Sequence, residues 1–338
     1  MLGTQSKGLE PLVLSRTPEI APEFLLQEVL GADFYASVKA REVPGFQFGV
    51  LVAERAGQRV ATVPYFVTDF KLNTMLESGW LKNKLGHTGF RIACVGHPCT
   101  PFGRIDGEVS AELMDLVFDV LKREAPVVSL KGFGSDLPAP GFVQVAGLPV
   151  AKLALRPQFW QSLSSARRRN LQRKRKKASG LCLQVSEGLT EPMAKVVHGL
   201  YLQTLERSGI QFERLSMDYF VSTAWMSHYV VAYLGEQVVG FVQTIRKEKK
   251  LTALYIGIDN TYNREHGVYF ALAMRVVDYA IAMECEEVEL GETHYEFKRA
   301  LGCKLEETYV YFRHRNPWVH RVMSWFSFVF EPSEDELR

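Results

Sequence analysis

The clearest indication of the fold lies in Leu251–Lys304, which reads LTALYIGIDNTYNREHGVYFALAMRVVDYAIAMECEEVELGETHYEFKRALGCK. It begins with an apolar run, continues through a polar loop, Asn260–His266, and predicts a long amphipathic helix over Gly267–Glu284. A short strand, Val288–Gly291, follows. Strand, polar turn, helix and strand make a βαβ unit, and such a unit crosses over right-handed when both strands share a sheet.

The start of the predicted helix is a candidate anion site. A helix N-terminus leaves N–H groups without partners, and these point towards the preceding loop. Arg264, His266 and Gly267 place a cation, a hydrogen-bond donor and a small residue at that point. We predict a diphosphate cradle here. The alternative is an ordinary βα turn that binds nothing.

Length and composition indicate a folded protein without a polycationic surface. The chain has 338 residues, 47% hydrophobic and 23% charged residues and a net charge of +2. This length predicts two domains, and the small net charge means that affinity for anionic partners would come from a local patch. The five cysteines show no C-x-x-C pair, so we expect neither a disulfide framework nor a metal site.

The sequence predicts a cytoplasmic protein, and association with a membrane surface stays open. The first residues lack the basic flank and apolar core of a secretory signal. No apolar run approaches the ~20 residues that a membrane-spanning helix needs.

Two predicted hairpins suggest an internal repeat. One joins Phe46–Glu54 to Gln58–Val67, and the other joins His228–Leu234 to Gln237–Arg246. Each hairpin is followed by a strand, a glycine-containing loop, a helix and another strand. The repeated order predicts two related α/β halves.

This order resembles the Gcn5-related N-acetyltransferase (GNAT) fold, which residues 181–315 follow along their length. The diphosphate loop of that family, Arg/Gln-x-x-Gly-x-Gly/Ala, is matched by Arg264 and Gly267 but not by Tyr269. Two such halves with a basic helix between them resemble the FemAB-like (peptidoglycan-bridge type) transferases. Lys298 and Gly302 match a Lys and a Gly that recur after the fifth strand of the second half in acetyltransferase relatives.

The resemblance implies an α/β (α+β) fold of two tandem GNAT-like domains. Each would be a mixed, mainly antiparallel sheet flanked by helices. We expect a degenerate N-terminal domain over residues 1–155 and a C-terminal acyltransferase domain over 156–316. An aromatic helix and an acidic tail would occupy residues 317–338.

The resemblance also implies where an acyl donor binds. In this fold the fourth and fifth strands splay apart, and the pantetheine arm of acyl-CoA enters the gap. Acyl-CoA is therefore the expected co-substrate, with aminoacyl-tRNA as the alternative donor. The residues expected to bind it are Ile256, Gly257, Arg264, His266, Gly267, Val268 and Tyr269.

Acyl transfer to an amine needs a base and an acid near the donor carbonyl. Glu292 or His294 is the candidate base, and Tyr255 or Tyr295 the candidate acid. The alternative is that Glu292 and His294 merely cap a helix and face solvent.

Five further residues are candidates for binding the acceptor. Lys298 and Arg299 would hold an anionic group, unless they are simply solvated on their helix. His97, Arg104 and Asp106 lie in a Pro/Gly loop of the first half that we expect to line the cleft between halves. A lone histidine there is otherwise structural.

Two helices are candidates for contact with partners. The helix Gln158–Lys177 ends almost wholly basic, over Arg167–Lys177, and would be a solvated face, a tRNA contact, or a contact for anionic lipid or an acidic partner. The aromatic helix Trp318–Phe330 would pack on the body of the protein, on a second subunit of a homodimer, or on a membrane surface.

The sequence thus predicts an N-acyltransferase that moves an acyl group from acyl-CoA to an amine of a small molecule or peptide bound between the domains. One alternative is an aminoacyl-tRNA-dependent, FemAB-like transferase that forms a peptide bond. The other is a GNAT-like binding protein without catalytic activity, because Tyr269 would block the diphosphate loop.

Overall fold

A computed structural model of the protein describes residues 10–71, 89–208, 211–333 and 336–337, so the chain start and part of the expected acidic tail lie outside these ranges. The strands are β1 (Val13–Thr17), β2 (Phe46–Arg55), β3 (Gln58–Lys71), β4 (Gly89–Val95), β5 (Asp106–Gly107), β6 (Val127–Phe133), β7 (Val143–Ala146), β8 (Val150–Ala154), β9 (Cys182–Glu187), β10 (Ser227–Leu234), β11 (Gln237–Lys247), β12 (Lys250–Ile258), β13 (Glu287–Glu289), β14 (Lys304–Glu306) and β15 (Tyr309–His314). The helices are α1 (Ala32–Ser37), α2 (Ala111–Leu121), α3 (Phe159–Ser162), α4 (Ser165–Lys177), α5 (Glu191–Arg207), α6 (Met217–Ser222), α7 (Asn260–His266), α8 (Val268–Ala282), α9 (Tyr295–Leu301) and α10 (Pro317–Trp325). Two short 3-10 helices, Ala224–Met226 and Ser327–Phe330, complete the described elements.

The strands form two mixed sheets, as the sequence predicted. The first has the order β1-β2-β3-β4-β6-β15-β7, with β5 paired to β3, and the second has the order β14-β8-β13-β12-β11-β10-β9. Alternate side chains of β10 show how the second sheet is covered. Val230 and Ala232 pack with α8, whereas Tyr229 and Val231 pack with α5 on the opposite face.

The two halves exchange their last strands. β8 comes from the first half of the chain but lies in the second sheet, antiparallel to both β13 and β14. β15 comes from the second half but lies in the first sheet, between β6 and β7. A boundary at residue 155 therefore separates the chain into halves but does not separate the sheets.

The fourth and fifth strands of the second sheet splay apart. β12 and β13 are parallel and pair only at Lys250–Thr252, the first three residues of β12. Beyond that point Leu290 N–H donates to Ala151 O of β8, so the chain after β13 turns away from β12. Residues 253–258 of β12 are left without a partner strand on this side among the described residues. We call the resulting gap the wedge.

The corresponding strands of the first sheet do not open in this way. β4 and β6 are also parallel, but their pairing runs over Ile92–Val95 and so reaches the last residue of β4. Only the second half therefore has an opening at this place in the part of the chain that the structure describes.

A β-bulge in β12 shapes the wedge. Val242 of β11 is opposite Ile256 and Thr244 is opposite Ala253, so the single residue Gln243 faces two residues of β12. A bulge bends its strand and redirects a side chain. It thereby sets the direction in which Tyr255 leaves the strand.

The polar segment Asn260–His266, which was predicted as a loop, is the helix α7. The prediction was wrong because this helix has no apolar stripe, which is the signal that sequence periodicity detects. Its signals are instead at its ends. Asp259 caps its first turn by accepting from Thr261 N–H, and Gly267 ends it in the left-handed region at φ 62°.

Two other predicted elements are divided in the structure. The basic helix expected over Gln158–Lys177 is interrupted at Leu163, and Ser164 caps the second helix, α4. The sequence also predicts a single strand over Glu306–Arg313, but the structure has two strands there, β14 and β15, which lie in different sheets. Residues 307–308, which join them, carry the chain from one sheet to the other.

Candidate active site

A cavity of about 940 Å³ is lined by residues of both sheets. The wedge forms one wall of it through Ala253–Ile256 and Leu290–Glu292. The first sheet forms another wall, where Lys131 of β6 lies among the lining residues. The cavity therefore connects the opening between β12 and β13 to the face of the first sheet.

Tyr255 and Glu213 form a hydrogen-bonded pair in this cavity. The Tyr255 hydroxyl donates to Glu213 Oε1 at 2.9 Å. Burial raises the pKa of Glu213, although the nearby Lys131 ammonium opposes this shift. Burial also raises the pKa of Tyr255 well above its usual value, so its hydroxyl holds its proton at neutral pH. Tyr255 was predicted from the sequence, but Glu213 was missed because no pattern distinguishes the segment around it.

Glu292 lies in the cavity wall at the end of the wedge. Burial raises the pKa of its carboxyl, although the positive charges of Lys131 and Lys298 partly oppose this shift. The charge of Lys131 thus lowers the pKa of both Glu292 and Glu213, although Lys131 comes from the first half of the chain. Its ammonium also donates to Thr100 O at 3.2 Å.

Lys298 is 4% exposed and holds the turn that carries Glu292. Its ammonium donates to Gly291 O at 3.0 Å and to Glu292 O at 2.6 Å. Burial lowers the pKa of Lys298 to about 8. These contacts give Lys298 a positioning role, whereas the neighbouring Arg299 is exposed and donates to Leu337 O at 3.3 Å.

The start of α8 is the predicted diphosphate cradle. Gly267 and Val268 are buried there, His266 is half-buried, and Arg264 is exposed. Asn263 Oδ1 accepts from Tyr269 N–H at 3.0 Å, so one amide of the first turn already has a partner.

Lys177 at the end of α4 brings a cation to this helix start. A Cβ built on Gly267 would lie 3.7 Å from Lys177 Cδ. The neighbouring Lys174 Nζ lies 3.4 Å from the centre of the Phe270 ring. The end of the basic helix therefore meets the start of α8.

Tyr269 stacks on His294, with ring centres 4.6 Å apart. Tyr269 belongs to α8, which follows β12, and His294 belongs to the turn after β13. The stack therefore connects the segments that follow the two splayed strands. Burial lowers the pKa of His294, which favours its neutral form.

Of three other predicted residues, Tyr295 and Gly257 have structural contacts within the protein. The Tyr295 hydroxyl donates to Pro149 O at 2.8 Å, and burial raises its pKa to about 12. Gly257 lies against α5, where an added Cβ would be 2.6 Å from Tyr201 N. Ile256 alone of these three lines the cavity.

The three predicted residues of the first half do not line this cavity. His97 is 2% exposed, and its ring nitrogens contact Val38 O and the Cys99 N–H. Arg104 pairs with Glu28 at 3.5 Å. The Asp106 carboxylate accepts from Leu25 N–H at 3.4 Å. Both His97 nitrogens are thus engaged within the protein.

Six exposed cations of α4 have no carboxylate partner among the ion pairs of the described residues. They are Arg167, Arg168, Arg169, Arg173, Lys176 and Lys177. In contrast, Arg175 pairs with Asp278 at 3.1 Å. The helix therefore presents a concentrated positive surface next to the start of α8.

The helix α10 buries none of its side chains fully. Trp318 is 78% exposed and Trp325 is 68% exposed. Met323 is half-buried and lines the cavity. Within the described ranges, no helix is long and apolar enough to cross a bilayer. The described residues also include no cluster of three or more side chains suited to hold a metal ion.

Comparison with known proteins gives the fold a name. Residues 165–299 match the acetyltransferase (GNAT) domain family. The crystal structure of FemX is similar over 83% of this chain and 91% of its own, with 12% identity and a TM-score of 0.52. The protein has a tandem GNAT, FemAB-like fold.

Two further structures share this tandem GNAT fold. L-PGS from Bacillus licheniformis matches with a TM-score of 0.53 and 10% identity, over 81% of this chain and 87% of that one. The C-terminal domain (DUF2156) of a protein assigned as a lysylphosphatidylglycerol synthetase, from Agrobacterium fabrum, matches with a TM-score of 0.52 and 14% identity, over 80% and 85%. No curated protein matches the chain in sequence. Identities this low establish the fold alone.

Proposed function

We propose that the protein is an N-acyltransferase that holds an activated acyl donor in the wedge and an amine acceptor in the cavity. The observation that carries this proposal is the difference between the two sheets. β12 and β13 separate after three residue pairs, whereas β4 and β6 stay paired to the end of β4. Carboxyl and hydroxyl groups line the cavity at the open wedge.

The proposed reaction uses two of the predicted residues. The acceptor nitrogen attacks the acyl carbonyl, so that the C–N bond forms and the C–S bond of the thioester breaks. Glu292 takes the proton from the nitrogen, because its raised pKa makes it a stronger base than an exposed carboxylate. The Tyr255 hydroxyl, which donates to Glu213 before the reaction, turns to the leaving thiolate and gives it the proton. The phenolate then regains a proton through solvent as Glu292 releases the one it took, which restores both groups.

Acyl-CoA is the donor that we place first. Its diphosphate would lie at the start of α8, where the helix dipole and Lys177 favour negative charge. A thermal-shift titration with acetyl-CoA tests this, because a ligand that binds only the folded state raises the melting temperature. No shift at millimolar acetyl-CoA would contradict the choice of donor.

The mechanism is tested by Glu292→Gln. We expect kcat to fall about 10²- to 10⁴-fold, which is the usual contribution of a general base. Wild-type activity should rise with pH through the Glu292 pKa, since the base must be deprotonated, and the variant should lose that limb. Glu296→Gln is the control, because Glu296 is exposed on the adjacent helix. An unchanged pH–rate profile in Glu292→Gln would exclude Glu292 as the base.

A second candidate donor is aminoacyl-tRNA, as the FemAB-like fold suggests. The unpaired cations of α4 favour it, because they lie beside the start of α8 and phosphate contacts dominate nucleic-acid affinity. Arg169→Glu and Arg173→Glu should each lower the slope of log affinity against log salt for tRNA by about one. Lys39→Glu, an exposed cation of the first half, is the control. Salt-independent or absent tRNA binding would eliminate this donor.

A further inference from the structure

The cavity changes from polar to apolar along the strands of the first sheet. On β6 the residues that line it are Lys131, then Ser129, then Val127. Beside them on β15, Val310 is opposite Lys131 and Phe312 is opposite Ser129. Polarity therefore falls with distance from the wedge along β6, and both lining residues of β15 are apolar. Four residues of a strand span ~13 Å, so this change extends over a length well beyond that of an acetyl group.

The far end of the cavity is lined by apolar side chains of the first sheet and of the C-terminal segment. We call this part the apolar arm and define it by Phe90, Ile92, Val127, Phe312, Met323 and Phe330. Phe330 meets Phe312 edge to face, with ring centres 5.2 Å apart. The C-terminal segment thus packs on one face of the first sheet, and α2 packs on the opposite face.

The polar end has the opposite character. Two carboxyl groups and two ammonium groups line it near the wedge, those of Glu213, Glu292, Lys131 and Lys298. Charged side chains favour a polar head group, and an apolar cavity favours an apolar ligand over water. The cavity as a whole is therefore complementary to an amphiphile.

We propose that the apolar arm holds a linear alkyl chain of a substrate during acyl transfer. The chain belongs either to the acyl group of the donor or to the amine acceptor, which share this chemistry. This inference rests on the proposed function, because it assigns the substrate class of the same site. It predicts selectivity for chain length, since each methylene that enters the arm leaves water.

The experiment uses the full chain and two series of ligands. One series is acyl-CoA from acetyl to dodecanoyl, and the other is n-alkylamine from ethyl to dodecyl. Affinity measured by calorimetry should rise by up to about fourfold per methylene and then level off when the arm is full. The series that shows the rise identifies the substrate that carries the chain. No dependence on length in either series would overturn the proposal.

Two variants fill the arm. Val127→Trp places an indole on the sheet side of the arm, and Met323→Trp places one on the helix side, where the half-buried residue tolerates a larger group. Each should weaken the longest ligand at least tenfold and leave the two-carbon ligand unchanged. Val13→Trp is the matched control, because Val13 is an exposed strand residue outside the cavity. If Val127→Trp does not fold, the result for Met323→Trp decides. Wild-type affinity of that variant for the longest chain would overturn the proposal.

Binding and transfer are measured separately. Each binding titration contains a single substrate and therefore needs no turnover. Affinity that rises with chain length without any acyl transfer would contradict the proposed function alone. Acyl transfer without any dependence on chain length would contradict the apolar arm alone.

Discussion

At the scale of single residues, Tyr269 is the departure from the family pattern that matters most. Its ring stacks on His294 and so connects the segments after β12 and β13. An aromatic pair of this kind is worth about 0.5–1.5 kcal/mol. If a donor enters between these two segments, the two rings must separate. The stacking energy that is lost then reduces the binding free energy of the donor.

We therefore expect Tyr269→Ala to bind CoA more tightly than the wild type, by up to about tenfold. His294→Ala should act in the same direction, since it removes the other ring, and the two changes together should not add. Isothermal titration with CoA measures the effect. Tyr262→Ala is the matched tyrosine control, because that side chain bonds Gln237 on the surface. Weaker binding in Tyr269→Ala would show that the ring contacts the donor instead.

The sequence could predict residues of the site only where local order places them. Tyr255 and Glu292 lie on or directly after the two splayed strands, so a fold resemblance was enough to indicate them. Glu213 and Lys131 come from a loop and from the other half of the chain. Only the assembled structure shows that they act on Tyr255 and Glu292.

At the scale of secondary-structure elements, the position of β12 depends on contact with α5. Gly257 permits this contact, since an added Cβ would lie 2.3 Å from the Phe241 ring and 2.6 Å from Tyr201 N. The backbone of β12 is also tied to α5 by Ile258 N–H, which donates to Thr204 Oγ1 at 2.9 Å. The part of β12 that does not pair with β13 is thus supported by α5 as well as by β11.

Gly257→Ala should lower the free energy of unfolding by about 1–3 kcal/mol, because overpacking forces the strand or helix to move. Gly199→Ala is the control within α5, since nothing lies within 4 Å of a Cβ added there. That change should raise the free energy of unfolding by about 0.5–1 kcal/mol, because alanine favours a helix. Urea denaturation of both variants measures the difference. Equal effects would contradict the role given to the β12–α5 contact.

The order of elements in the second half was predictable because each long element has a clear period. β12, α8 and both hairpins agree with their predicted positions within a few residues. α7 was missed because it is polar throughout and is defined by Asp259 and Gly267 at its ends. A capping residue followed eight positions later by glycine was the signal that could have revealed it.

At the scale of the whole molecule, the exchange of β8 and β15 unites the two halves. The alternating pattern of these strands is the same whichever sheet they join, so no local signal in the sequence could assign them. The sequence therefore predicted two domains in succession, whereas each sheet is completed by the other half of the chain.

Fragments 1–155 and 156–338 should consequently not fold alone. Each would lose an interior strand of its sheet and expose apolar edges, which favours aggregation. Co-expression should restore a soluble one-to-one complex, because both exchanged strands are then present. Size-exclusion chromatography and thermal unfolding of each fragment and of the pair provide the measurement. Cooperative unfolding of either fragment by itself would contradict the prediction.

The pairing of β4 with β6, together with the exchange of β8, has a consequence for the evolution of the two halves. If ancestral duplication produced two equal copies, the copy without a donor opening could not afterwards be lost from the gene. Its deletion would remove the strand that stands beside β13, and the surviving copy would be incomplete. Mutations could therefore accumulate where β4 and β6 stay paired in the first copy. The rest of the first copy stayed under selection, because its strand β8 completes the sheet of the second.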